Sequence, residues 1–243
     1  MPVIVHHLND SRSQRILFLL EELSIPYEIK HYQRGSDRRA PKALYDVHPL
    51  GKSPVITTES GRVIAESGAI VDYLINEYAK DGSFRPTNGE AKLDDTFWSH
   101  FAEGSLMPAL VMKLIFSIIP QQAPFLVRPL ASAICSGVVS SFVDPEVGKL
   151  LKFISGELAK KKTTTSTSST SAGGSPWFAG GDAQGNPTAA DFMMLFPLEA
   201  LVAGGRAPKG MQIDEGIKRY VEEAHKRPAY QRALEKGGKY SYA

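Results

Sequence analysis

Lys52-Ser53-Pro54-Val55-Ile56, followed after a short return run by Glu66-Ser67-Gly68-Ala69-Ile70, is the stretch on which the fold turns. Proline has no N–H to give to a strand ladder, so Pro54 belongs at a strand's first residue, at an edge or in a specialised turn. The apolar run turns at Glu59-Ser60-Gly61 and comes back through Arg62-Val63-Ile64-Ala65, a hairpin pattern. Glu66-Ser67 then stands just ahead of an amphipathic segment from Gly68 to Tyr78. At such a helix mouth the Ser67 N–H and hydroxyl suit a carboxylate, Glu66 suits an ammonium, and Lys52 suits a second carboxylate. Each also has a plain reading, Ser67 as a helix cap and Lys52 as a solvated charge. A cis Ser53–Pro54 bond would turn the backbone of Ser53 outward to pair with an extended peptide, and that isomer is the sharpest structural test this stretch sets.

Upstream, Pro2-Val3-Ile4-Val5-His6 is a β-branched run that reads as a buried strand. Asn9-Asp10-Ser11 signals a helix start, and Ser11 with Gln14 forms a capping-box pattern. Ile16, Leu17, Leu20 and Leu23 recur at helical spacing, with Glu21 and Glu22 expected to face away. Pro26 ends that helix, and Tyr27, Ile29 and His31 alternate with Glu28 and Lys30 as a second strand. Pro41 opens a short helix reaching Val47. The order β-α-β, short helix, β-β-α is that of a thioredoxin-like layer, with two parallel strands joined by a crossover and a hairpin added.

Beyond Asp81–Gly89 the pattern turns helical. Leu93, Phe97, Trp98 and Phe101 share one face of a long helix, kinked at Pro108. Further helices run to about Phe142, restart at Asp144-Pro145-Glu146, and start again at Pro187-Thr188, where Asp191 completes a capping box. Ile213–His225 and Pro228–Lys236 close the series. The division is therefore an α/β domain over 1–81 and an all-α domain over 89–243. A Lys/Thr/Ser/Gly-rich stretch at 160–176 is expected to be a flexible surface insert.

Composition narrows the function classes. Among 243 residues, 28 basic and 26 acidic side chains give a net charge of +2, too balanced to favour nucleic acid. The single cysteine, Cys135, excludes an internal disulfide and sits in an apolar helical segment as a buried, inert thiol. The six histidines show no metal-ligand spacing. The apolar stretches Leu106–Pro120 and Pro129–Val143 are each shorter than the ~18 residues of a membrane span. The cytosol is the default location, and peripheral attachment to a membrane stays open.

Ser11 caps a helix on the plain reading. A hydroxyl can also cap and still donate to a ligand, and a donor at the positive end of a helix stabilises a thiolate. Asn9 offers a second donor.

Ser11-Arg12-Ser13-Gln14-Arg15, His48-Pro49-Leu50-Gly51-Lys52-Ser53-Pro54-Val55, Glu66-Ser67-Gly68-Ala69-Ile70 and Thr188-Ala189-Ala190-Asp191 together resemble a glutathione S-transferase of the serine type. His7-Leu8-Asn9-Asp10-Ser11-Arg12-Ser13 is most similar to the fungal Gtt-type branch. The resemblance implies a detoxification enzyme that uses glutathione as co-substrate, with no tightly bound cofactor, acting as a cytoplasmic homodimer. It implies that Ser11, or alternatively Asn9, activates the glutathione thiolate for attack on a small hydrophobic electrophile or a peroxide. Lys52, Ser53, Pro54, Glu66 and Ser67 would hold the tripeptide, and Trp98 and Phe101 would line the co-substrate pocket. A glutathione-binding protein without catalysis is the alternative. No cysteine stands at the Ser11 position, which departs from the thiol-transferase classes.

Overall fold

A computed structural model describes residues 1–164 and 175–242. The insert expected at 160–176 therefore falls for the most part outside the described residues. Strand β1 (Val3–Leu8), helix α1 (Ser13–Leu23) and strand β2 (Tyr27–Tyr32) form the crossover unit, and β3 (Val55–Thr57), β4 (Val63–Ala65) and helix α2 (Ser67–Tyr78) complete the layer. The strand order is β2-β1-β3-β4. β1 and β2 are parallel, with Val5 beside Ile29, while β3 runs antiparallel to both of its neighbours. A parallel pair needs a long crossover, and α1 supplies it. Every described element from residue 89 onward is helical, so the expected α/β-plus-all-α architecture is the one observed.

The expectation that Glu21 and Glu22 face away from the core is corrected. All of α1 from Ser13 to Glu21 is buried, because a second layer of helices covers the face that periodicity assigned to solvent. That cover is α9 (Pro228–Gly237). Glu21 accepts from the Tyr27 hydroxyl at 2.6 Å and Arg232 Nε at 2.7 Å and also pairs with Lys236, while Glu22 pairs with Arg227. Four cationic and phenolic donors compensate carboxylates that burial would otherwise penalise.

Helix α3 (Gly89–Phe101) runs through a π turn (Ala102–Leu106) into α4 (Met107–Gln122). After a 3₁₀ turn (Phe125–Val127), α5 (Arg128–Val138) runs through a second π turn (Val139–Val143) into α6 (Asp144–Thr164). The sequence pattern put a kink at Pro108 and a fresh helix start at Asp144. At both places the chain stays helical through a wide turn, so Asp144 continues a helix instead of starting one. Pro108 and Pro145 each lie two residues past a π turn. A proline has no N–H and its ring crowds the carbonyl four residues back, which is Gly104 or Ser141, inside the widened stretch.

Helix α7 (Ala189–Val202) is buried from Ala189 to Leu201 and forms the centre of the helical part. Phe192 packs its ring 5.2 Å from that of Phe18 on α1, and Tyr230 of α9 meets Phe18 at 5.5 Å. The expected capping box is present: Asp191 accepts the Thr188 N–H at 2.9 Å and the Thr188 hydroxyl at 3.3 Å. The same carboxyl accepts the Phe178 N–H at 2.9 Å and the hydroxyl of Tyr220, on α8 (Glu215–His225), at 3.2 Å. Replacing Asp191 by Ala orphans buried donors on three segments. We expect a loss of about 2–4 kcal/mol, read as a lower urea midpoint at unchanged slope.

Candidate active site

The end of β1 and the start of α1 meet at a tight turn. The Asn9 N–H donates to the Tyr32 carbonyl at 3.2 Å, which carries the β1–β2 pairing one residue further. Asp10 then takes φ 47° and redirects the chain into α1. Ser11 does not cap the helix as a box. Its hydroxyl accepts the Ser13 N–H at 3.2 Å and donates to the Leu8 carbonyl at 2.8 Å, while the buried Gln14 amide has no partner among the described residues. Ser11 is 5% exposed.

The hydroxyls of Ser11 and Ser13 lie 2.8 Å apart, and Ser13 Oγ is 2.8 Å from His7 Nδ1. His7 is buried, faces the Gly237 backbone at the end of α9, and has its pKa lowered to about 4, chiefly by burial. With Nε2 protonated toward that backbone, Nδ1 accepts from Ser13, and the proton of Ser11 is left for Leu8. The network is closed around its own atoms.

Asn9 is arranged differently. Its side-chain carbonyl accepts the Arg34 N–H at 2.9 Å, but among the described residues its NH₂ reaches only Asp10, at 3.5 Å. It is half-buried at the mouth of α1. Arg34 braces this turn through the Asn9 and Asp10 carbonyls at 3.3 Å each. The Ser241 N–H donates to Asp10 at 2.8 Å, so the C-terminal residues flank the same turn.

The second wall is β3 and its approach. The Ser53–Pro54 bond is cis, the isomer that the sequence reading put to the test. Ser53 Oγ donates to the His6 carbonyl at 2.9 Å and accepts the Leu8 N–H at 3.3 Å, which fixes it beside the end of β1. Gly51 has φ 56°, and a Cβ there would lie 2.4 Å from the Tyr45 ring. Only glycine fits that turn. Lys52 is exposed just beyond it.

β3 and β4 pair Val55 with Ala65 at the end of their ladder, so Ser53 and Pro54, just before it, and Glu66 and Ser67, just after it, leave the sheet at the same end of the hairpin. Glu66 is exposed with φ 72° and ψ 122°, a conformation L-residues rarely take. Ser67 is the first residue of α2 and buried. Expected to cap that helix, it lies inside it, and Glu66 holds the cap position without a side-chain cap bond.

Trp98 and Phe101 are 3% and 8% exposed and interlock with Phe97, Phe153 and Phe178. They pack the core instead of lining an open pocket, which corrects the expectation for these two residues. Sequence reasoning also missed Glu103. From the first π turn it accepts from Arg12 Nε at 3.0 Å and from the fully buried Arg15 at 2.8 Å. Its partners lie on α1, about ninety residues away, and no local pattern signals them.

Residues 11–77 match the family described as glutathione S-transferase, N-terminal domain. The chain is 34% identical over 236 residues to Glutathione S-transferase 3 of Schizosaccharomyces pombe, covering 96% of this chain and 87% of the relative. It belongs to the glutathione S-transferase family. Glutathione S-transferase 1 of Saccharomyces cerevisiae is 31% identical over 208 residues, with 82% of this chain and 81% of that one covered. A crystal structure of a glutathione S-transferase from Actinobacillus pleuropneumoniae matches with a TM-score of 0.67 and 26% identity, covering 97% of this chain and 92% of the other. These likenesses bear out the resemblance to a glutathione S-transferase most like the fungal Gtt-type branch.

Because the folded-state pKa of His7 lies below its ordinary 6.5, the transferase gains stability from it that is fully present above about pH 6.5. That contribution is lost as pH falls through about 4. It amounts to roughly 3 kcal/mol. Wild type should lose more stability than His7→Gln between pH 7 and 4.5, and the His7 ring resonances should stay those of a neutral imidazole down to about pH 5. A ring that titrates near 6.5 would show that His7 is not enclosed in this network.

Proposed function

We propose that this transferase activates glutathione with the side-chain amide of Asn9, and conjugates it to small hydrophobic electrophiles. The observation that carries this reading is the contrast between two neighbouring donors. The Ser11 proton is engaged by the Leu8 carbonyl at 2.8 Å, whereas the Asn9 NH₂ has only a 3.5 Å contact. A thiolate bound at this turn finds a donor in Asn9 without breaking an internal bond.

The tripeptide would lie along the second wall. The backbone of Ser53 receives the cysteinyl unit in an extended arrangement, which brings its sulfur toward the end of β1. Ser67, whose N–H lies at the positive end of α2, receives the γ-glutamyl carboxylate. Glu66 faces the γ-glutamyl ammonium, and its unusual backbone angles present the carboxylate outward. Lys52 takes the glycine carboxylate. The pairing of Val55 with Ala65, from which Ser53-Pro54 and Glu66-Ser67 lead off at the same end, supports one continuous site.

Hydrogen bonding to the charged form lowers a thiol pKa, and stabilisation of about 3 kcal/mol corresponds to roughly two units. The thiol proton leaves to solvent. The sulfur lone pair then forms the S–C bond while the electrophile's leaving group departs with its electron pair. Holding both reactants at one turn supplies the remaining advantage.

The thiolate absorbance of bound glutathione, titrated in each variant and paired with turnover of a panel of electrophiles and peroxides, tests this reading. Asn9→Ala should raise the bound-thiol pKa by about two units and lower kcat/KM about 100-fold. Ser11→Ala should leave the pKa in place and cost mainly stability. The reverse pattern moves the role to Ser11. An ordinary thiol pKa in wild type, with no turnover of any compound, would replace catalysis by ligand binding.

A further inference from the structure

Helix α9 ends at Gly237, and Gly238, at φ 85°, turns the chain out of it. Two tyrosines then fasten the segment that follows to the helical part. The Tyr240 hydroxyl donates to Glu199 of α7 at 2.5 Å. That buried carboxylate also accepts from the Tyr230 hydroxyl at 2.6 Å and lies 2.9 Å from His225 Nε2. The Tyr242 hydroxyl accepts from buried Arg206, whose guanidinium covers the same ring at 5.3 Å, and that ring meets Phe196 at 5.8 Å. Ser241, between the two tyrosines, is exposed. With a neighbour pinned on each side, its backbone N–H is held in place although it lies at the surface.

That N–H donates to Asp10 Oδ1 at 2.8 Å, and Asp10 Oδ2 is the oxygen 3.5 Å from the Asn9 NH₂. The opposite end of the Asn9 amide is fixed by the Arg34 N–H, which donates to its oxygen at 2.9 Å and so decides which end carries the nitrogen. Arg34 also donates to the Asp10 carbonyl at 3.3 Å, so a cation stands beside the Asp10 carboxylate and offsets its charge. A backbone N–H on a carboxylate is a charge-assisted bond, stronger than a neutral one. It holds one oxygen of Asp10 and keeps the other beyond the ordinary reach of an N–H···O bond to Asn9. Released from Ser241, the carboxylate is free to rotate onto the amide and engage the proton that a thiolate would take.

We propose that Ser241 and Asp10 are positioning residues of the transferase: the segment after α9 ties Asp10 back and so leaves the Asn9 amide open to the glutathione sulfur. This rests on Asn9 as the thiolate donor. Neither residue needs to touch a substrate. Ser241 acts through Asp10, and Asp10 acts through Asn9, so the donor at the mouth of α1 is set from a segment more than two hundred residues away in the chain. Small displacements at a reacting centre carry large rate effects, which is how a single surface hydrogen bond reaches the chemistry.

Ser241→Pro and Ser241→Ala test this as a pair, because proline removes the N–H and alanine keeps it. Ser241→Pro should raise the pKa of the bound glutathione thiol, read from thiolate absorbance, by about one unit. At pH values below that pKa it should lower kcat about tenfold, with little change in the KM for glutathione. Ser241→Ala should match wild type. In an Asp10→Gly background, where φ 47° suits glycine, Ser241→Pro should change nothing further, because the group through which it acts is gone. A Ser241→Pro enzyme with the wild-type thiol pKa overturns the proposal, including one whose activity falls only in step with a lower urea midpoint. So does an effect of equal size with and without Asp10. If Asn9→Ala leaves the thiol pKa in place, the donor assignment itself fails. If Asn9→Ala raises it and Ser241→Pro does not, only the role of Ser241 and Asp10 is lost.

Discussion

The buried guanidinium of Arg15 constrains the rest of the molecule. It is fully enclosed, stacks over the Phe196 ring at 5.3 Å, and pairs with the Glu103 carboxylate at 2.8 Å. An isolated cation at such depth costs several kcal/mol, and removing one partner of a buried pair typically costs more than the pair contributes. Glu103 reaches Arg15 from the π turn between α3 and α4, and that wide turn is also what accommodates Pro108. The sheet layer and the helical part are therefore joined by a charge that neither could bury alone. Arg12 shares the same carboxylate at the cleft edge, so the pairing that joins the two parts also orders the mouth of α1.

Around that joint the proposed binding residues come from separated stretches held by backbone geometry. Asn9 is placed by its N–H bond to Tyr32, Ser53 by its side-chain bonds to β1, and Glu66 by the hairpin register. The donor surface at the turn depends on which hydroxyls are already engaged. Ser11 and Asn9 are two residues apart and carry comparable donors, yet one is enclosed by His7 and Ser13 and the other stands half-exposed. Burial, more than residue type, distinguishes their chemistry.

Much of this was legible in the sequence for physical reasons. The strand pair around Val5 and Ile29, the proline at the head of β3, and the Thr188–Asp191 box all rest on short-range rules of backbone donors and acceptors. Other features depend on distant partners and left no local trace. Glu21 looked solvent-facing by period, but its cations Arg232 and Lys236 lie over two hundred residues on. Trp98 and Phe101 carried no sign separating core from pocket, because an aromatic on a helix face serves either, and Phe153 and Phe178 decide the matter. The serine network escaped the capping-box pattern because His7, on the preceding strand, competes for Ser13.

The clasp of α9 on α1 sets an order of events during synthesis. Glu21 and Glu22 find their cations only at Arg227, Arg232 and Lys236. At roughly 5–20 residues per second, the first helix waits about 10–40 s for these partners to be made. Through that interval the run from Ile16 to Leu20, wholly enclosed in the finished molecule, lacks part of its cover. The nascent chain thus carries an incompletely covered apolar helix through that interval, and a chaperone that shields this segment would act then.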